Sequence, residues 1–348
     1  MARFLILALL LIAAATPAQA KTDFRLAWSI YVGWMPWQWA QDHGIVKKWA
    51  DKYGIKIAVV QINDYAESIN QYSAGAFDAL TVTNMDALAV PAVGGVDTTA
   101  VLIGDFSNGN DAVILKDKTA LEDIKGQRVN LVQFSVSHYL LARALASINA
   151  SERDVTVVNT SDADIVAAFK TPDVKALVAW NPQTSEILSL PGAHKVFDSS
   201  RIPGEIIDLT VVNTKTLTEN PALGKALAGI WYEAMATMKA QTPAGSAARA
   251  EMGKASGTDL AGFESQLKTT RMFYDPAEAA AFAKGAELPK TTKLVRDFLF
   301  SHGLFGENAK SADIIGIKSG DGSVLGDPAH ITLRFEPAYM EAAASGGL

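Results

Sequence analysis

The groups in this chain that can do chemistry are carboxylates and aromatic rings, and they gather in the same loops. Asp86, Asp105, Asp111, Glu205 and Asp208 lie beside strand-like runs, together with Tyr31, Trp34, Trp37, Phe106, Tyr139 and Trp180. Arg201 is the one basic residue in those segments, and His138 the one histidine. Carboxylates beside flat aromatic faces suit a delocalised planar cation, through charge-assisted hydrogen bonds and cation–π contact. A neutral planar amide ranks second and an anion third. Catalytic patterns are missing: there is no Gly-x-Ser-x-Gly elbow, no phosphate-cradling glycine loop and no zinc signature. The chain has no cysteine, and its five histidines (His43, His138, His194, His302, His330) form no pair at metal-ligand spacing. The residues therefore point to binding, with no catalytic group, metal or cofactor expected.

Each candidate also has a plainer reading. Trp34, in a loop before a proline-initiated helix, is the strongest aromatic contact. Trp37 shares a helical face with Ala40 and Gly44, which serves core packing equally well. Trp28, Trp39 and Trp49 read as packing residues. Asp86 follows Thr83-Asn84, where an acid also favours the start of a helical turn. Asp111 opens a crossing strand and doubles as a turn residue. Ser135 and Ser137 are natural helix caps before they are ligand contacts. His138 has the ordinary alternative of a satisfied structural histidine, and Glu205 and Asp208 that of solvated rim charges.

The elements that must position these residues alternate in βα order, which signals an α/β fold with mainly parallel sheets. Strands are expected at residues 24–29, 55–62, 79–83 and 98–104, with helices at 36–53, 65–73 and 86–93. A turn-rich run, Asp105-Phe106-Ser107-Asn108-Gly109-Asn110, then leads into a strand over 111–115. The rhythm restarts with strands at 127–131, 155–158, 176–179 and 195–197 and helices at 137–148, 163–169 and 182–189. Residues 208–213 read as a return crossing, and 220–305 as mostly helical. Two α/β lobes joined by two crossings follow: 21–108 with 211–310 as the first lobe, 109–210 as the second, and 311–348 unassigned.

Composition narrows the class. The 348 residues are 49% hydrophobic and 20% charged, enough for sizeable cores and unlike a disordered chain. A net charge of −6 without a basic run excludes nucleic acid as an expected partner. Residues 1–20 read as an export signal: Arg3, an apolar run from Leu5 to Ala15, then Ala18-Gln19-Ala20 before Lys21. That run is too short for a membrane anchor, and no cysteine follows it to carry a lipid. A soluble periplasmic monomer is expected.

Several segments carry a family resemblance: Gly33-Trp34-Met35-Pro36, Ser73-Ala74-Gly75-Ala76-Phe77-Asp78, the run from Leu121 to Val129, Ser135-Val136-Ser137-His138-Tyr139-Leu140-Leu141, and Ala179-Trp180-Asn181-Pro182. In this order they are similar to the sulfonate, nitrate and thiamine-precursor type of ABC-importer binding proteins, the NMT1/THI5-like group, over residues 23–300. They most resemble the branch associated with urea carboxylase operons. The resemblance implies a two-lobed, hinged periplasmic-binding-protein fold, an ABC permease in the inner membrane as partner, and guanidinium as ligand ahead of urea. The loops at the strand ends place Tyr31, Trp34 and Asp86 on the first lobe's side of the cleft. Ser135, His138, Trp180 and Glu205 belong to the second, with Trp37 and Asp111 as further contacts. The alternatives are a sulfonate- or nitrate-type anion, or a thiamine-pyrimidine-type enzyme. The enzyme would need a cleft lysine for its cofactor, and the pocket loops contain none.

Overall fold

The computed structural model describes residues 21–306 and 309–348, so the expected export signal lies outside the described residues. Two sheets form the framework. The first lobe opens with β1 (Asp23–Trp28), β2 (Lys56–Gln61), β3 (Ala79–Thr83) and β4 (Thr98–Ser107). The chain then crosses into β5 (Ala112–Lys116), β6 (Arg128–Leu131), β7 (Thr156–Asn159), β8 (Ala176–Ala179) and β9 (Ala193–Asp198), before returning as β10 (Ile207–Asn213). Later come β11 (Thr270–Met272), β12 (Gly316–Lys318), β13 (Val324–Gly326) and β14 (Ile331–Phe335). The larger sheet runs β13-β12-β14-β4-β10-β3-β1-β2, with β11 on β4, and the smaller runs β7-β6-β8-β5-β9.

Both sheets are mixed. Within the βα units the pairing is parallel, as in β1 with β2 and β3 and in β6 with β7 and β8. Antiparallel pairing enters through the crossing strands, and also where β11 joins β4 and β13 joins β12. β10 lies antiparallel between β3 and β4, and β5 between β8 and β9. A strand that returns from the other lobe comes in from the opposite end, so its direction is reversed. The residues left unassigned, from 311 onward, build β12 to β14 on the β4 edge, with Leu333 beside Thr98.

Local chemistry explains the helix boundaries. The single helix expected at 36–53 is two, Pro36–Asp42 and Ile45–Lys52. Gly44 between them sits at φ 74°, a left-handed conformation that favours glycine and stops the first helix. Helix Tyr65–Ser73 starts where the Asp64 carboxylate accepts the Glu67 N–H at 2.9 Å. Helix Val136–Ser147 starts where Ser135 Oγ accepts the Ser137 N–H. Residues 84–87 form an α-turn that passes into a π-helical turn at Leu88–Ala92, which contains Pro91. The long helix Pro221–Lys239 packs on both N-terminal helices, with the Trp231 ring 5.4 Å from that of Trp37. Among the described residues no helix is long and apolar enough to cross a membrane.

Candidate functional site

The strand ends of both sheets meet at a small cavity. Ser29, Ile30, Tyr31 and Trp34 follow β1, Thr83 ends β3 and Trp180 follows β8, while Asp111 precedes β5 and Ile206 and Asp208 start β10. Tyr65 and Val136 open the two helices capped by Asp64 and Ser135 and complete the wall. This is the usual ligand position in an open α/β fold, beyond the carboxyl ends of the parallel strands.

Four aromatic rings cross the cavity from one sheet to the other. Tyr31 meets Trp34 edge-on at 5.0 Å, Trp34 lies 5.7 Å from Tyr65, and Tyr65 meets Trp180 edge-on at 5.6 Å. The loop that carries the first two depends on Gly33. A Cβ there would come within 2.5 Å of both Asp105 Oδ2 and the Tyr31 ring.

Behind the rings lies a group of buried carboxyls, and sheet register puts it there. Asp208 on β10 stands directly beside Asp105 on β4 and Thr83 on β3. Both aspartates are buried, and the Tyr31 hydroxyl donates to Asp105 Oδ1 at 2.8 Å. Two like charges in that register cannot both ionise cheaply. Burial first, then the neighbouring Asp105 charge, pushes the Asp208 carboxyl well above the usual range. Burial raises Asp105 too, against the opposing hydrogen bond from Tyr31. Asp111 is pushed up to about 7 by burial, with the Asp105 and Asp86 charges adding to the rise.

Asp111 also belongs to the joint between the lobes. Ser107 Oγ is 2.5 Å from Asp111 Oδ2 and 2.6 Å from Ser199 Oγ, and Ser199 Oγ accepts the Gly109 N–H at 2.7 Å. Residues 107–111 and 199 lie at the two passages of the chain between the sheets. A charge placed at Asp111 therefore acts on the cleft and the joint together.

The structure brings Tyr31, Trp34, Asp111 and Trp180 to the cavity wall, and five other expected contacts elsewhere. Trp37 is 1% exposed and packed on Trp231, because its helix turns that face to the Pro221–Lys239 helix. Asp86 stands behind Tyr65, accepting the Tyr65 hydroxyl at 2.7 Å and the Thr83 hydroxyl at 2.8 Å. Burial raises Asp86 to about 6, opposed by those bonds and by the Val136 backbone amide. Ser135 is occupied as a cap, its hydroxyl donating to the Val132 carbonyl at 2.8 Å. His138 turns to Glu152 and His302. Glu205 accepts the Tyr139 hydroxyl at 2.5 Å and pairs with Arg143 at 2.9 Å, and it does not line the cavity.

Sequence reasoning missed Tyr65, and it singled out none of Ser29, Ile30, Thr83, Val136 and Ile206 as contacts; Asp208 was counted among the loop carboxylates, with a solvated rim charge as its plainer reading. Tyr65 had a usable signal: an aromatic residue directly after an Asp cap, at a strand-to-helix turn. No lysine, arginine or histidine is among the residues that line the cavity.

Residues 40–244 match the model of the family described as NMT1/THI5 like, and the chain belongs to that family. The taurine-binding periplasmic protein of Escherichia coli (strain K12) is 27% identical over 146 residues, which are 40% of this chain and 45% of that protein. The match thus spans less than half of that relative. Among solved structures, the alkanesulfonate-binding protein SsuA from Xanthomonas axonopodis pv. citri, bound to MOPS, superposes with a TM-score of 0.66 at 18% identity, covering 83% of this chain and 96% of that one. The periplasmic nitrate-binding protein NrtA from Synechocystis PCC 6803 gives 0.60 at 11% identity, covering 94% and 99%. At these identities the structures establish a shared fold.

Proposed function

We propose that the protein is the periplasmic solute-binding component of an ABC importer and that it takes a small planar nitrogenous solute, the guanidinium cation ahead of neutral urea. The family and the fold support the transport role. The ligand reading rests on one observation: Asp111 and Asp208 line a cavity walled by Tyr31, Trp34, Tyr65 and Trp180, and no basic side chain joins them. A planar cation gains from aromatic faces and from a desolvated carboxylate together. Closure of the lobes over it is stabilised by contacts from both sides, Trp34 and Asp208 from one and Trp180 from the other, and a permease then recognises the closed form.

A sulfonate- or nitrate-type anion is the second reading, favoured by what the relatives are named for and by the helix N-terminus at Val136. It requires the carboxyls lining the cleft to be protonated. The two readings therefore diverge with pH: cation binding strengthens as pH rises and anion binding as it falls. Thermal-shift measurements with guanidinium, urea, nitrate and taurine, at about one pH unit either side of the Asp111 titration, test this. Stabilisation by guanidinium that grows with pH supports the proposal, whereas stabilisation by taurine or nitrate that grows as pH falls overturns it. Fold alone does not separate a binder from an enzyme, so recovery of the ligand unchanged is part of the same experiment.

A further inference from the structure

Away from the cleft, three ligand-type side chains from distant parts of the sequence converge. His138 lies on the first turn of helix Val136–Ser147, Glu152 opens the short helix Glu152–Asp154, and His302 caps helix Glu287–Ser301. One donor atom from each lies within 4.8 Å of the other two. The Nε2 atoms of the two imidazoles face the two oxygens of the single Glu152 carboxylate, His138 towards Oε1 and His302 towards Oε2.

We propose that His138, Glu152 and His302 form a binding site for a divalent transition-metal ion of the zinc class, joining the second lobe to the C-terminal helical segment. Two imidazole nitrogens and one carboxylate oxygen are a donor set suited to zinc, and they leave a fourth position open.

Two features beyond the clustering support the assignment. His138 is 3% exposed, so its Nε2 meets the Glu152 carboxylate out of reach of bulk water. Two imidazole nitrogens and a carboxylate held together with little water are a donor set that a bound cation stabilises. His302 has the outer arrangement typical of a metal-bound imidazole: its Nδ1 is 2.8 Å from the Phe298 carbonyl oxygen. That contact keeps the ring proton on Nδ1 and leaves the Nε2 lone pair towards Glu152. Phe134 and Phe298 lie against the imidazoles, 5.5 Å from His138 and 4.0 Å from His302, and limit water around the site.

The His138 side carries a cost. The Phe134 N–H points at its Nδ1 from 3.2 Å, which places the ring proton on Nε2. Coordination moves that proton to Nδ1 and gives up this one long hydrogen bond in exchange for a metal–nitrogen bond.

The test is equilibrium dialysis of the chelator-stripped protein against Zn²⁺, with the visible spectrum of Co²⁺ as a second readout. Wild type should retain one equivalent of Zn²⁺, give a tetrahedral Co²⁺ spectrum and gain melting temperature with Zn²⁺. Changes to outer partners of a metal site weaken binding by about 10–100-fold, so Glu152→Gln and His302→Ala should each weaken it by at least about 100-fold. His43→Ala, which breaks the exposed His43–Glu251 pair, should change nothing. The proposal is overturned if wild type retains no stoichiometric Zn²⁺, or if Zn²⁺ binding survives both substitutions. The wild-type Co²⁺ spectrum decides the matter even where a variant fails to fold.

Discussion

Replacing Asp111 by asparagine removes one carboxylate from the cleft and changes little else. The side chains have the same size, and Ser107 Oγ, 2.5 Å from Asp111 Oδ2, can donate to an amide oxygen as well. What disappears is a buried negative charge facing the ligand. Removing one partner of a buried, hydrogen-bonded charge pair costs about 2–5 kcal/mol, so the guanidinium Kd should rise by about 30-fold or more. Urea exchanges one neutral or charge-assisted hydrogen bond for another, a difference of about 1 kcal/mol, and its Kd should move by less than about tenfold. The assay is calorimetric titration of both ligands at about pH 8, a unit above the point near 7 to which burial raises Asp111. Equal losses for the two ligands would refute the charge argument. An unchanged guanidinium Kd would place the ligand away from Asp111.

Burial raises Asp86 to about 6 and Asp111 to about 7, and it raises Asp105 and Asp208 as well. These carboxyls hold protons in the fold that the unfolded chain gives up, so their contribution is complete at low pH and is lost as pH rises through 6 to 7. For Asp111, a rise from 3.8 to about 7 is worth on the order of 4 kcal/mol. The ligand-free melting temperature should fall between about pH 5 and pH 8, and differential scanning calorimetry that shows it flat or rising would contradict the buried carboxyl group. Trp34→Phe should remove most of the ligand-induced fluorescence change, because the indole leaves water when the lobes close; a change that persists at full size places Trp34 outside the pocket. Tyr65→Phe keeps the ring and removes the donor 2.7 Å from Asp86, so chemical denaturation should show a loss of about 1–3 kcal/mol, with guanidinium affinity nearly unchanged.

The sequence carried the βα alternation and the two crossings, because hydrophobic runs and their stops are local. It also carried the loops that supply Tyr31, Trp34, Asp111 and Trp180, since strand ends are local too. What it did not carry depended on partners remote in the chain. Trp37 fits a pocket or a core by its own helix, and Trp231 decides for the core. Asp208 looks like a surface carboxylate until β10 is laid between β3 and β4, which buries it beside Asp105. Glu205 looks free until Tyr139 and Arg143 meet it. The helix break at Gly44 was readable, because a glycine inside a helical pattern is a possible left-handed stop. The His138–Glu152–His302 convergence was not, because no spacing rule joins residues on three separate helices.

Calorimetric titration of the ligand-free protein with guanidinium, urea, nitrate and taurine, at about pH 8 and again at about pH 6, tests the cationic cleft most directly. A neutral ligand of four heavy atoms is limited to about −6 kcal/mol, a Kd of some tens of micromolar. The account predicts that guanidinium binds more tightly than that limit and more tightly than the other three. It also predicts that guanidinium weakens by roughly tenfold at the lower pH, where Asp111 takes up its proton. Taurine or nitrate binding more tightly than guanidinium, and more tightly still at pH of about 6, would contradict it.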